Sequence, residues 1–160
     1  MTTPAQTLVQ AQIAELIPHS GTMCLLQALD AWDKQHIVCR ADNHRDPHNP
    51  LRTRSGLLAP NAIEYAAQAM ALHGALIGQA SGAPATPGYL ASARGVQLHV
   101  LRLDDLPLPV GAHGPDELRI EATRQAGDAR QILYAFSVRH AGRPIAEGRA
   151  AVVLNTPINP

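Results

Sequence analysis

The chain has few aromatic side chains, few cysteines and no net charge. Phe, Trp and Tyr make up 3% of its 160 residues, so the core is expected to consist of Leu, Ala, Val and Ile. The 13 basic and 13 acidic residues cancel, which argues against general attraction to nucleic acid or to an anionic membrane. Cys24 and Cys39 do not form a CxxC or a zinc-type Cys/His spacing, so two free, buried thiols are expected.

Long hydrophobic stretches are also missing. No run of about 18 apolar residues is present, so no membrane span is predicted. The N-terminus shows no charged segment followed by a long apolar stretch, as a secretory leader would. We therefore expect a soluble, cytoplasmic protein. The length of 160 residues, with 46% apolar side chains, fits a single domain over residues 1–160, of which residues 1–7 are expected to fray.

Hydrophobic periodicity predicts one long helix between two groups of strands. Residues 7–17 favour a short helix that ends at Pro18. The predicted strands cover residues 23–29, 36–41, 89–103 (with a bulge near Leu101), 117–123, 131–139 and 144–154. A polar loop over residues 42–56 precedes the long helix, and residues 82–88 form a linker. A long apolar helix wrapped by a curved antiparallel sheet would bury both apolar surfaces, so the fold class is α+β.

The long helix, from Pro60 to about Gly78, carries a carboxylate near its start. Gln68 follows Glu64 by one turn, so both polar groups lie on one face of the helix. A glutamate is almost never fully buried without a partner. Glu64 either interacts with the helix dipole or belongs to a functional site. Gln68 is either a partner of that site or a satisfied core amide.

Two stretches of the chain match motifs of a known family. Residues 17–26 read IPHSGTMCLL, and residues 63–70 read IEYAAQAM. They are similar to the "PHR-P-LL-D" opening and the "EAMAQ" helix of the hotdog-fold 3-hydroxyacyl-acyl-carrier-protein (ACP) dehydratases. The chain resembles more closely a divergent branch of predicted dehydratases found with aryl-polyene-type biosynthesis. The β-rich second half agrees in order and length, so the resemblance implies a hotdog fold over nearly the whole chain.

This resemblance also implies a set of site residues. The family pairs a histidine in the loop before the helix with an acid in the first turns of the helix. Glu64 matches the acid, and His44 and His48 are the two candidates for the histidine, because the family's own histidine position holds Pro50. The family's glycine before the helix is replaced by Ala59. Side chains or backbone expected to contact the substrate are Gln68, Gly56 and Tyr89.

The implied reaction is the dehydration of a 3-hydroxyacyl thioester carried on ACP. It requires a base for the α-proton and an acid for the departing hydroxyl, and a histidine and a glutamate supply both. No metal and no cofactor are expected. Arg45, Arg52 and Arg54, in the same loop, either meet the carrier protein or are only solvated.

Other functions and assemblies stay open. One alternative is an acyl thioesterase, and another is a non-catalytic acyl-binding subunit of a heterodimeric dehydratase. Because a hotdog sheet leaves an edge strand open, we expect a homodimer or higher homo-oligomer, or a heterodimer with a related dehydratase.

Overall fold

The computed structural model describes residues 6–19, 21–82, 88–111, 114–128 and 130–154. Within these ranges the helices are α1 (Gln10–Ala14) and α2 (Ala62–Ala80). The strands are β1 (Leu8–Val9), β2 (Ala28–Trp32), β3 (His36–Ala41), β4 (Gly88–Leu98), β5 (Leu118–Gly127), β6 (Gln131–His140) and β7 (Arg143–Leu154). Short 3₁₀ turns cover Gly21–Met23 and Ala59–Asn61, and the second leads directly into α2.

The strands of the described residues form one antiparallel sheet against which α2 packs. Their order is β1-β2-β3-β5-β6-β7-β4, and every neighbouring pair is antiparallel. The inward side chains of α2, among them Tyr65, Leu72 and Leu76, are buried together with those of the sheet. Each buried leucine contributes about 1.5–3 kcal/mol of hydrophobic stabilisation. The hotdog arrangement expected from the resemblance is therefore confirmed.

Most element positions agree with the sequence prediction, and a few differ. The loop over residues 42–56 contains no helix and no strand of the sheet, as predicted. The N-terminal helix is shorter than expected, because Leu8 and Val9 pair with β2 instead. The bulge predicted near Leu101 is wrong: β4 ends at Leu98, and its register shifts lie between Leu90 and Ser92 and between Arg94 and Gln97. Residues 83–87 of the predicted linker lie outside the described residues.

Strand β4 is the long open edge of the sheet. It pairs with β7 on one side and has no neighbouring strand on the other among the described residues. Tyr89, Leu90 and Leu98 on this strand are exposed. At the other edge, β1 is only two residues long. A long open edge strand such as β4 presents unpaired backbone groups to a second chain.

The cysteines and the two helices can be compared with the sequence predictions. Cys24 and Cys39 are free and buried, as predicted, and burial raises the pKa of the Cys39 thiol to about 12. In the described part of the chain, neither helix is long and apolar enough to cross a membrane.

Candidate active site around Glu64 and His19

Glu64 lies in the first turn of α2, where it faces a histidine from a distant part of the chain. Its Oε1 atom is 3.5 Å from Nε2 of His19. The Glu64 side chain is 37% exposed and that of His19 is 27% exposed, so both reach the surface without being fully solvated. The partial positive charge at the start of a helix also favours a carboxylate at this position. An imidazole and a carboxyl group are thus adjacent at an accessible point.

The chain brings His19 to this point by a turn between α1 and β2. Ile17 on one side is buried in the core. Gly21 on the other side has a φ of +59°, a left-handed conformation that glycine adopts without strain. The Cys24 N–H donates to the Gly21 carbonyl at 3.2 Å, which closes the turn. His19 therefore lies on a short segment that is fixed at both ends.

Gln68 holds the end of this turn against the helix. Its Oε1 accepts a hydrogen bond from the Leu25 N–H at 2.8 Å, and its Nε2 donates to the Met23 carbonyl at 2.8 Å. The side chain is fully buried. Both polar atoms of the amide therefore contact the protein's own backbone. The predicted contact of Gln68 with substrate stays a prediction.

His44, one of the two histidines proposed as the base, lies in a buried ionic network. Its Nε2 is 3.2 Å from Asp116 Oδ1, and Nε2 of His140 is 2.8 Å from the same oxygen. Burial lowers the pKa of His44. The pKa of the Asp116 carboxyl lies well below its usual range, and the largest cause is its hydrogen bonds with Arg45. This network attaches the loop that follows β3 to the sheet.

Within the described residues, the side chains of this network are also arranged so that they could hold a metal ion. The ligand atoms of His44, Asp116 and His140 lie within 4.8 Å of one another. However, Arg45 already binds both oxygens of Asp116, with Nε 2.6 Å from Oδ2 and Nη2 3.1 Å from Oδ1. The guanidinium supplies the positive charge that a cation would bring, so we interpret the group as an ion-pair network.

His48, the second proposed base, is exposed on the loop before α2. Its backbone N–H donates to Asp46 Oδ1 at 2.8 Å, which forms a local turn. Within the described residues, neither His48 nor His44 is hydrogen-bonded or ion-paired to Glu64, whereas His19 is. A single chain therefore places Glu64 beside His19. The roles proposed for His44 and His48 stay predictions.

Gly56 and Tyr89, both expected to contact substrate, lie in different surroundings. Gly56 is buried with a φ of +95°, and an added Cβ atom would lie 2.6 Å from Nη2 of Arg102 and 2.7 Å from Oδ2 of Asp104. This glycine permits the loop to pack closely against the segment after β4. Tyr89 is on the open edge strand β4 and is 59% exposed.

Asp104 fixes the last part of the loop before α2. Its side chain is 2% exposed, accepts hydrogen bonds from Arg102 and from the Leu57 N–H, and pairs with Arg52 at 3.3 Å. The bonds from Arg102 are the main reason that the pKa of Asp104 falls to about 2. A backbone hydrogen bond from the Leu103 N–H to the Leu57 carbonyl, at 2.7 Å, reinforces the contact. The start of α2, and with it Glu64, is therefore held in place.

The sequence reasoning did not select His19 as a site residue. The available signal was its place in the IPHSG stretch, which the resemblance had already identified as a motif. Sequence spacing alone does not show that the turn after α1 passes the first turn of α2.

With this geometry established, the chain can be compared with known proteins. Residues 11–159 match the family described as ApeP dehydratase. The chain belongs to the ApeP dehydratase family. This membership covers nearly the whole sequence and supports a dehydratase, and hence lyase-type, role. No curated protein sequence matches the chain significantly.

Solved structures agree with the hotdog fold. The structure described as the dehydratase heterocomplex ApeI:P from Xenorhabdus doucetiae is 20% identical, with 91% of each chain covered and a TM-score of 0.77. An HP0420-homologue from Helicobacter felis is 10% identical over 94% of this chain and 92% of its own, with a TM-score of 0.58. A hypothetical thioesterase from Streptococcus pneumoniae is 11% identical over 79% and 84%, with a TM-score of 0.54. At these identities the structures show a shared fold.

Proposed function

We propose that this ApeP-family protein dehydrates a 3-hydroxyacyl thioester carried on acyl carrier protein. The observation that carries the proposal is the partly exposed His19–Glu64 pair at the start of the central helix. Family membership supplies the reaction class, and the pair supplies a base and an acid in adjacent positions. In this proposal His19 is the base within one chain, and His44 and His48 stay candidates for a base at a site shared between two chains.

The two side chains have complementary tasks in this reaction. His19 Nε2 removes the proton from the carbon next to the thioester carbonyl. The electrons of that C–H bond form the new double bond, and the bond to the hydroxyl at the next carbon breaks. Glu64, in its protonated form, donates a proton to the departing hydroxyl, which leaves as water. The proton taken by His19 then returns to Glu64, 3.5 Å away, so the pair is restored and the enoyl thioester and one water are the only products.

Arginines in the loop before α2 are the proposed contacts of an acidic carrier protein. Arg45 and Arg52 in the loop before α2 are paired with Asp116 and Asp104. Arg54 is exposed, and among the described residues it has no ion-pair partner. A guanidinium without an ion-pair partner in the described chain, eight residues before the start of α2, suits the acidic surface or the phosphate of a carrier protein. The proposed carrier contact is therefore at Arg54.

We further propose that the protein acts with a second hotdog subunit paired along β4. The open edge and the exposed Tyr89, Leu90 and Leu98 support this assembly. The fold neighbour described as an ApeI:P heterocomplex favours a related dehydratase as the partner, and a second copy of this chain is the alternative. His44 and His48 stay candidates for a site shared between two chains. The molar mass of the purified protein, alone and with a co-expressed dehydratase homologue, distinguishes these assemblies.

The reaction is tested with a 3-hydroxyacyl thioester on ACP, with detection of the enoyl product. Wild-type protein, alone or with its partner subunit, is expected to form the enoyl thioester. Glu64→Gln removes the proton donor at constant size and is expected to lower kcat by about 100- to 10,000-fold. Glu15→Gln, an exposed glutamate on α1's C-terminal end, is the matched control and keeps wild-type activity.

Three other outcomes would contradict the proposal. Release of a free acid without an enoyl product would identify a thioesterase. Activity of a complex that is unaffected by Glu64→Gln would identify a non-catalytic subunit. Absence of turnover with any partner subunit would exclude the dehydratase reaction.

A further inference from the structure

The backbone that follows His19 is held by an unusual set of side-chain amides. The carbonyls of Met23, Cys24 and Leu25 accept hydrogen bonds from Gln68, Gln10 and Asn43, at distances of 2.8, 2.9 and 3.2 Å. Of the three amides, Gln68 is the one that makes two bonds to this segment, because it also accepts from the Leu25 N–H at 2.8 Å. It is also fully buried, so no water competes for its bonds. Gln68 is therefore the strongest of the three tethers.

The imidazole of His19 has little to hold it apart from this backbone. Its Nε2 faces Glu64 at 3.5 Å, which is longer than a hydrogen bond. Its Nδ1 is buried and has no hydrogen-bond partner in the described part of the chain. The ring position consequently depends on the path of the chain through the Gly21–Met23 turn, and Gln68 holds the end of that turn.

Gln68 and Glu64 lie one helical turn apart on the same face of α2. The same rigid helix thus carries the acid and the amide that fixes the segment bearing the base. We infer that Gln68 is a positioning residue, which holds His19 at the distance from Glu64 that the reaction requires. This inference rests on the proposed function. It gives Gln68 a different task from the substrate contact expected from the sequence.

The test replaces Gln68 by a residue of similar length that cannot form hydrogen bonds. Gln68→Met keeps the buried volume and removes both bonds to the Met23 and Leu25 backbone. The matched control is His73→Phe on the same helix. His73 is also fully buried and also makes two hydrogen bonds, to the Tyr134 hydroxyl and the Asp33 carbonyl, but these lie away from His19. Both variants are expected to lower the melting temperature.

Only the Gln68 variant is expected to affect the reaction beyond this shared loss of stability. Misplacement of a catalytic group by about 1 Å costs on the order of 100-fold in rate, so kcat of Gln68→Met is expected to fall about 10- to 100-fold with little change in KM. Because Gln68 acts through His19, adding His19→Ala to Gln68→Met should reduce kcat no further than His19→Ala alone. Adding His19→Ala to His73→Phe should instead lower kcat by the same factor as His19→Ala does in the wild type.

A nuclear Overhauser measurement tests the same inference without activity. Cross-peaks between the His19 ring and the Glu64 side chain are expected in the wild type and in His73→Phe, and are expected to disappear in Gln68→Met. Persistence of these cross-peaks in Gln68→Met, or independent and multiplicative losses of kcat for Gln68→Met and His19→Ala, would overturn the inference.

The measurements also separate this inference from the proposed function. An inactive wild type with the expected cross-peak pattern would contradict only the dehydratase proposal. If Gln68→Met does not fold, Gln68→Glu replaces it. That variant keeps an acceptor for the Leu25 N–H and loses the donor to Met23, so its cross-peaks are expected to weaken, and unchanged cross-peaks would count against the inference.

Discussion

Nε2 of His19 and Oε1 of Glu64 lie 3.5 Å apart, although one belongs to the turn before β2 and the other to the first turn of α2. The contact arises because the turn after α1 passes the start of the central helix. Gln68, on that helix, hydrogen-bonds to the backbone at the end of this turn, at Met23 and Leu25. A single chain therefore brings a histidine and a glutamate together at the start of the central helix.

The histidine variants are expected to differ in their effects on catalysis. His19→Ala is expected to lower kcat by about 100- to 10,000-fold, because it removes the group that takes the α-proton. His48→Ala is expected to retain activity, since His48 is exposed and has no contact with Glu64 within the described chain. Steady-state kinetics with a 3-hydroxyacyl-ACP substrate measures both. Retained activity in His19→Ala with loss in His48→Ala would instead place the base on a second chain.

Stability is expected to fall in mild acid because two buried histidines resist protonation. Burial lowers the pKa of His44, beside Asp116, Arg45 and His140, below the ordinary value of 6.5. It does the same for His73. Below pH 6.5 the unfolded chain binds protons that the folded chain excludes. The contribution of both groups to the free energy of unfolding is thus fully present above pH 6.5 and decreases as the pH falls below it.

Urea denaturation at a series of pH values measures this effect. His73 hydrogen-bonds to the Tyr134 hydroxyl and the Asp33 carbonyl, and the charges that influence its pKa are those of Arg124, Asp33 and His36. His73→Phe is therefore expected to be less stable at pH 7 and to show a shallower decrease in acid than the wild type. An equally steep decrease in the variant would exclude His73 as a cause.

Asp104 is expected to be a major stabilising residue of the loop before α2. Asp104→Asn removes the charge that Arg102 and Arg52 bind and is expected to cost about 1.5–3 kcal/mol of unfolding free energy. The pKa of Asp104 is lowered from 3.8 to about 2, so its contribution is present above pH 3.8 and is lost as the pH falls through about 2. Asp105→Asn is the control, because its side chain is largely exposed. Equal stability of the two variants would contradict the prediction.

Gly56 and Gly82 provide a matched pair for the close contact beside the loop. Both have positive φ, but a Cβ on Gly56 would lie 2.6 Å from Arg102, whereas a Cβ on Gly82 would meet nothing within 4 Å. Gly82→Ala is expected to cost about 1–2 kcal/mol from backbone strain alone. Gly56→Ala carries the same strain and must also displace Arg102 from Asp104, so its loss should be larger. Thermal unfolding of both variants measures the difference. Equal losses of stability would show that the Arg102 side chain moves aside at no cost.

The sequence predicted the fold, but it did not identify the histidine beside Glu64. The apolar periodicity from Pro60 onward and the alternating strands of the second half gave the element order, because burial of one face leaves a local pattern. The positions of single residues in the loop over residues 42–56 left no such pattern. His44 and His48 are close in the sequence, yet the first is buried against Asp116 and the second is exposed.

By itself the sequence determined the central helix with Glu64 in its first turn, the antiparallel sheet and the dehydratase family, because these depend on local patterning and on motifs. The tertiary structure decided which histidine faces Glu64. That choice depends on hydrogen bonds between residues far apart in the chain, above all those of Gln68 with Met23 and Leu25, and such partners have no fixed spacing in a sequence.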